Sequence, residues 1–135
     1  MAYWLFKTEP ESWSWDQQVK AGAKGTEWTG VRNFTARRNM KTMKKGDRGF
    51  FYHTGGEKQI VGIATVVKEA HPETGAADWE AVDIAAVKPL PNPVTLADVK
   101  ADKKLAAMAL VKYSRLSVQP VTEAEWKYIC KLGGL

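Results

Sequence analysis

The sequence predicts an α+β domain, a small curved sheet or barrel of mostly antiparallel strands with short helices around it. Three observations carry this. The chain has 135 residues, 44% of them hydrophobic, enough to bury one core, so residues 1–135 are expected to form a single domain. Three strand-like runs follow one another between Gly49 and Val87, separated by turn-forming residues. The strand–helix alternation that builds a doubly wound parallel sheet is missing.

Each element has a local reason. Residues 3–7 form a short, almost continuously apolar strand, which Glu9-Pro10 breaks. Ser14, with Gln17 three residues on, makes a capping box for a helix over 15–21 ended by Gly22. Residues 24–30 are a loop carrying Trp28 between polar and glycine neighbours. Asn33 caps a helix to about Lys45, closed by Gly46. On it Ala36, Met40 and Met43 share one stripe, and Arg37, Arg38, Lys41, Lys44 and Lys45 the opposite one. Phe34 projects from the basic side.

Residues 49–54 are a strand, and Gly55-Gly56 a hairpin turn into a second strand over 59–68. Within it Gly62 marks a bulge, a bend or a close backbone approach. Residues 72–77 are a loop. A third strand spans 79–87, with Val82, Ile84 and Ala86 on one face and Trp79, Ala81, Asp83, Ala85 and Val87 on the other. Pro89, Pro91 and Pro93 form a stiff connector that cannot join a sheet interior. Thr95 and Asp102 cap short helices over 96–100 and 103–110. Leu116 and Val118 belong to a last strand stopped by Gln119-Pro120. Thr122 and Glu125 make a capping box for a helix to about Leu132.

The net charge of +5 is concentrated. Between residues 32 and 48, seven basic residues (Arg32, Arg37, Arg38, Lys41, Lys44, Lys45, Arg48) face only Asp47. The other 118 residues hold 13 basic and 14 acidic groups. Such a segment fits an anionic polymer partner, although a solvated helix face has the same composition. No apolar run reaches the length of a membrane span, so no membrane partner is expected. The first residues lack the basic region and small-residue cleavage site of a signal peptide. Cys130 is the single cysteine and cannot close an internal disulfide, which fits a cytoplasmic location.

The same inventory argues against several chemistries. One cysteine and two histidines without ligand spacing do not furnish a structural metal site, and no cofactor is expected. Cys130 shares a helical stripe with Trp126 and Ile129, as a small core residue would. Gly55-Gly56-Glu57-Lys58 lacks the spacing of a phosphate-binding loop. His53 ends an aromatic strand and has the chemistry of a general base, but no nucleophile or orienting group accompanies it in sequence.

Aromatic residues are the richer signal, with six tryptophans in the chain. Trp4 and Trp126 are expected in the core. Trp28 directly precedes Val31-Arg32-Asn33 and the basic helix. A flat ring beside cations suits stacking on a nucleobase, and Asn33 has donors and acceptors for a base edge. A tryptophan that plugs a loop onto the core would look the same.

The motifs Trp4-Leu5-Phe6-Lys7-Thr8-Glu9-Pro10, Trp28-Thr29-Gly30-Val31-Arg32-Asn33-Phe34 and Phe50-Phe51-Tyr52-His53-Thr54 resemble successive signatures of the EVE domain. Gly62-Ile63-Ala64, Ala70-His71-Pro72, Trp79-Glu80-Ala81-Val82-Asp83 and Arg115-Leu116-Ser117-Val118-Gln119-Pro120-Val121 continue the likeness in order. It implies a PUA-like fold, a small curled β-barrel of about five to six strands flanked by short helices and related to YTH domains. It further implies a non-catalytic binder of DNA or RNA carrying a modified base, which is flipped into an aromatic pocket. By that likeness Trp28 would be a wall of the pocket, Lys7, Glu9, Asn33, Tyr52, His53 and Thr54 its floor and rim, and Arg115, Leu116 and Ser117 its neighbours. Phe34, Thr54 and Thr8 depart from residues common in the family, which bears on the base accepted. The short loop over 72–78 points to a bacterial protein.

The expected mechanism joins these parts. Arg32, Arg37, Arg38, Lys41, Lys44 and Lys45 would hold phosphates without reading sequence, while the pocket reads the extruded base. Two other classes fit the residues: an enzyme acting on nucleic acid with His53 as base and Glu9 or Asp83 as its partner, and an adaptor whose basic helix docks an acidic protein.

Overall fold

The computed structural model describes residues 1–135. Six strands, β1 (Tyr3–Thr8), β2 (Thr26–Glu27), β3 (Arg48–His53), β4 (Gln59–Glu73), β5 (Ala76–Thr95) and β6 (Val118–Val121), form one sheet in the order β2-β5-β4-β3-β1-β6. Only β1 and β3 run parallel; every other pair is antiparallel. Around the sheet lie α1 (Trp15–Lys20), α2 (Phe34–Thr42), α3 (Leu96–Ala101), α4 (Ala109–Lys112) and α5 (Glu123–Leu132). The architecture is the α+β class expected, with a mixed sheet.

Both faces of the sheet are covered, which explains why its central strands read as nearly unbroken apolar runs. Trp4 and Phe6 of β1 and Phe51 of β3 enter one core cluster with Trp15 of α1 and Ala36 and Met40 of α2. Leu5, Phe50 and Tyr52, of opposite parity, enter a second with Leu110 of α4 and Trp126 and Ile129 of α5. Cys130 packs against that cluster, half-buried, and burial pushes its thiol up. The edges β2 and β6 do not pair with each other; α2 packs against β4, β5 and β6 and bridges the gap.

The capping boxes at Ser14, Thr95 and Thr122 form as expected, and the Asn33 side chain accepts from the Ala36 amide. Gly62 serves as both a bulge and a close approach. The β3–β4 register shifts beside it, and a Cβ there would lie 2.5 Å from the Trp15 ring.

Several expectations are corrected. The helix capped by Asn33 ends at Thr42, not near Lys45, because Asp47 folds the chain back. Its carboxylate accepts from the Lys44 amide at 3.0 Å and from Trp4 Nε1 at 3.1 Å. Lys44 and Lys45 therefore lie in a turn. The expected loop over 72–77 is instead the end of a long β4–β5 hairpin turning at Thr74-Gly75, where Gly75 takes φ +83°. The three prolines continue β5 as a strand. Past Ile84 this strand has no partner on its β2 side, so the missing amides leave no ladder gap. The helix expected over 103–110 splits into a 3-10 turn (Lys103–Leu105) and α4, and Pro120 lies within β6 at the sheet edge.

Candidate functional site

The N-terminal half of the sheet creates a cleft of about 670 Å³. Lys7 and Thr8 at the end of β1, and Ser12 and Trp13 in the turn that follows, contribute one part. The segment Thr26 to Val31 contributes the other, and Thr74 and Ser117 approach from the hairpin tip and from the residue before β6.

Trp28 has two attachments here. Its ring meets Phe6 and Phe51 edge-on at 5.4 and 5.6 Å, and its amide donates to the Val82 carbonyl at 2.7 Å. Only 7% of the residue is exposed, yet it lines the cleft. Trp28 thus belongs to the core and to the cavity together. Trp13, half-buried, is the second aromatic of the cleft. Its Nε1 donates to Gln18 Oε1 at 2.9 Å, and the buried Gln18 amide donates to the Ile84 carbonyl at 3.0 Å. That chain of hydrogen bonds fixes the indole against the sheet. Sequence reading missed Trp13, although it shows the same signal as Trp28, an aromatic in a polar turn.

The cleft is held open by polar ties to the hairpin. Glu27 accepts from the Thr74 amide at 2.8 Å and hydroxyl at 2.9 Å. Glu73 accepts from the Gly30 amide at 2.9 Å and from the two terminal guanidinium nitrogens of Arg32 at 3.1 and 2.8 Å. The Arg32 hydrogen bonds hold the Glu73 carboxyl below the usual range, against the opposing effect of burial. Lys7 Nζ donates to the Ser114 carbonyl at 2.8 Å, and burial pushes its ammonium pKa down.

The structure distributes the other expected pocket residues. Lys7, Trp28 and Ser117 share the cleft. Asn33, Arg115 and Leu116 line a separate shallow groove with Tyr113. Tyr52 and Thr54 line a small cavity on the other side of the sheet, which Lys7 also reaches. His53 is buried, its Nε2 accepting from the Trp15 amide at 3.0 Å and its Nδ1 lying 2.9 Å from Glu57. Glu9 is exposed beyond β1, its carbonyl accepting the Ser12 and Trp13 amides.

The basic residues also divide. Arg37 pairs with Glu80 through two guanidinium nitrogens, and Lys41 lies 3.8 Å from the same carboxylate. Arg32 is taken by Glu73. Arg38, Lys44 and Lys45 are exposed and form no ion pair. Phe34, 69% exposed, stacks on Trp79 at 5.5 Å, and Arg32 and Arg37 each lie 5.2 Å from that ring. Glu27, His71 and Asp83 bring one ligand-type atom each within 4.8 Å of one another. Both His71 nitrogens are engaged there, Nε2 with Asp83 at 2.8 Å and Nδ1 with the Pro72 carbonyl at 2.9 Å. No sequence spacing foretold this group.

The fold defines a class first. The structure superposes on the YTH domain of Zygosaccharomyces rouxii MRB1 protein, solved with N6-methyladenosine RNA, with a TM-score of 0.61. The match covers 98% of this chain and 86% of that one at 15% identity, a likeness of fold alone. The class it defines is an α+β fold shared with that domain. Within that class the chain belongs to the EVE domain family, whose model matches residues 2–132. It is similar to protein Atu2648 from Agrobacterium tumefaciens, at 52% identity and a TM-score of 0.97, covering 100% of this chain and 94% of that one. It is also similar to human THYN1 protein, solved in complex with 5-methylcytosine containing DNA. There the identity is 30%, the TM-score 0.90, and the coverage 100% and 99%.

Proposed function

We propose that this chain is a non-catalytic nucleic-acid reader that takes a modified base, extruded from its stack, into the cleft between Trp13 and Trp28. The observation that carries this is a pre-formed cavity of about 670 Å³ with two tryptophans, each fixed by the core or by hydrogen bonds. Such a cavity lies within the usual range for small-ligand sites. Stacking on one aromatic wall is worth roughly 1–3 kcal/mol, comparable to the cost of extruding a base. Glu27, Thr29 and the segment's backbone groups supply the polar edge. The human relative is described with 5-methylcytosine DNA, so a 5-methylated cytosine in DNA is the first candidate. Reading without catalysis is supported by His53, whose Nε2 is already occupied by a backbone amide.

The test is a binding screen of single- and double-stranded DNA and RNA carrying plain, methylated and hydroxymethylated bases. Trp28→Ala would remove a core residue as well as a wall, so the informative variant is Thr29→Trp at an exposed position of the cleft. It is expected to abolish preference for the modified base, worth about 1–3 kcal/mol for one methyl, while binding to plain strands persists. Full preference in that variant would remove the cleft from recognition. Product formation from a modified oligonucleotide, lost in His53→Ala, would replace reading by catalysis.

A further inference from the structure

A second cavity, of about 280 Å³, lies on the side of the sheet opposite the two cleft tryptophans. Lysines from three separate parts of the fold line it: Lys7 from β1, Lys58 from the β3–β4 turn and Lys100 from α3. No carboxylate lines it, and none of the three forms an ion pair within the chain. Three ammonium groups around one small volume, two of them on exposed residues, raise the local positive potential and favour an anion there.

Tyr52 gives an independent pointer. It is 3% exposed, sits opposite Lys7 in the β1–β3 register and lines this cavity. Its hydroxyl has no hydrogen-bond partner in the chain, and desolvation alone pushes its pKa up. The oxygen is not sealed in the core but opens on the cavity, where it is free to donate to a bound acceptor. Lys58 is held in place at the turn. It is the single non-glycine residue with positive φ, at +47°, held there by the Leu96 amide donating to its carbonyl at 2.8 Å. This fixes the backbone from which the Lys58 side chain reaches the cavity.

We propose that this cavity is a phosphate-binding subsite in which Lys7, Lys58 and Lys100, with the Tyr52 and Thr54 hydroxyls, hold one phosphoryl group. Ammonium groups act as point charges toward phosphate, and the hydroxyls donate to the remaining oxygens. Lys7 lines both cavities, so the group is a backbone phosphate of the strand whose base fills the cleft. That assignment of the source rests on the function proposed above; the subsite itself does not. A free phosphate ion carries the same chemistry, and the experiment separates the two sources.

Inorganic phosphate is titrated into the full chain at constant ionic strength while backbone amide shifts are followed. Saturable shifts at Gly55 and Lys58 are expected, with none at Gly46 or Gly30. Lys58→Gln with Lys100→Gln should abolish them. Tyr52→Phe, which keeps the buried ring, should weaken phosphate about tenfold. Shifts that do not saturate, or that survive the double lysine substitution, overturn the subsite. In a second arm, binding to a plain oligonucleotide is measured against salt. The double substitution should lower the logarithmic salt slope by about one, as for one phosphate contact. An unchanged slope alongside saturable phosphate binding overturns the backbone assignment and makes a free phosphate the ligand. Phosphate binding by a chain that binds no oligonucleotide leaves the subsite standing and overturns the proposed reader.

Discussion

Nε2 of His53 accepts the backbone amide of Trp15 at 3.0 Å, tying the end of β3 to the first residue of α1. An accepting Nε2 places the proton of the neutral ring on Nδ1, where Glu57 receives it at 2.9 Å. The carboxylate partners considered from sequence, Glu9 and Asp83, are elsewhere; Asp83 serves His71. His53→Ala leaves a helix-start amide unpaired beside the core, so unfolding in denaturant should show a loss of about 1–3 kcal/mol. Preference between modified and plain oligonucleotides should be unchanged. Lost preference at unchanged stability would place His53 in recognition.

Gly62 faces the Trp15 indole. A Cβ there would stand 2.5 Å from the Trp15 ring, whose movement is limited by Phe51, 5.2 Å away edge-on. Gly62→Ala should lower stability by about 1–3 kcal/mol through overpacking. Gly56→Ala, with open space and no positive φ, should stay within about 0.5 kcal/mol. Equal denaturation midpoints for the two variants would contradict the close approach.

His71 gives the fold a pH dependence near the cleft. Its hydrogen bond to Asp83 raises its pKa, helped by the Pro72 carbonyl and opposed by burial and by Lys68. The folded chain therefore holds this proton more tightly than the unfolded chain, in which histidine titrates near about 6.5. The stabilisation is complete below that value and is lost as pH rises through the folded pKa. The melting-temperature difference between wild type and His71→Gln should accordingly be larger at about pH 5.5 than at about pH 8.5. A difference that grows with pH would show the ring to be bound neutral.

Arg37 and Lys41 share Glu80, whereas the side chains of Arg38, Lys44 and Lys45 form no ion pair. An arginine that already has a partner must exchange it for a phosphate, while an unpaired one releases only solvent and counterions. Arg38→Ala, Lys44→Ala and Lys45→Ala are each expected to lower the salt slope of oligonucleotide binding by about one, equally for plain and modified strands. Arg37→Ala should instead cost stability, since it leaves the Glu80 carboxylate, held low by that arginine, with Lys41 alone. Slopes unaffected by the three unpaired residues would take this surface out of the interface.

What could be read from sequence was local. The capping residues Ser14, Asn33, Thr95 and Thr122 each bond to the amide three positions away, so their effect is written into nearby residues. The stripe of Ala36, Met40 and Met43 predicted the buried side of α2 even though Met43 lies just past its end. Trp28 could be picked out of its loop, but not its double attachment to core and cleft, because Phe6 and Phe51 reach it through strand pairing.

Periodicity, capping and composition are enough to define the α+β class, the order of most elements and the presence of a concentrated positive charge. Which charges remain free depends on long-range contacts in the fold. Glu73 and Glu80 come from the hairpin, more than forty residues from Arg32 and Arg37 in the chain. The fold also gathers Tyr52 and Thr54 apart from the tryptophan cleft, with Lys7 reaching both cavities, and sets His53 to support a helix. Those outcomes depend on register and sheet order, in which one step of strand pairing exchanges one face for the other.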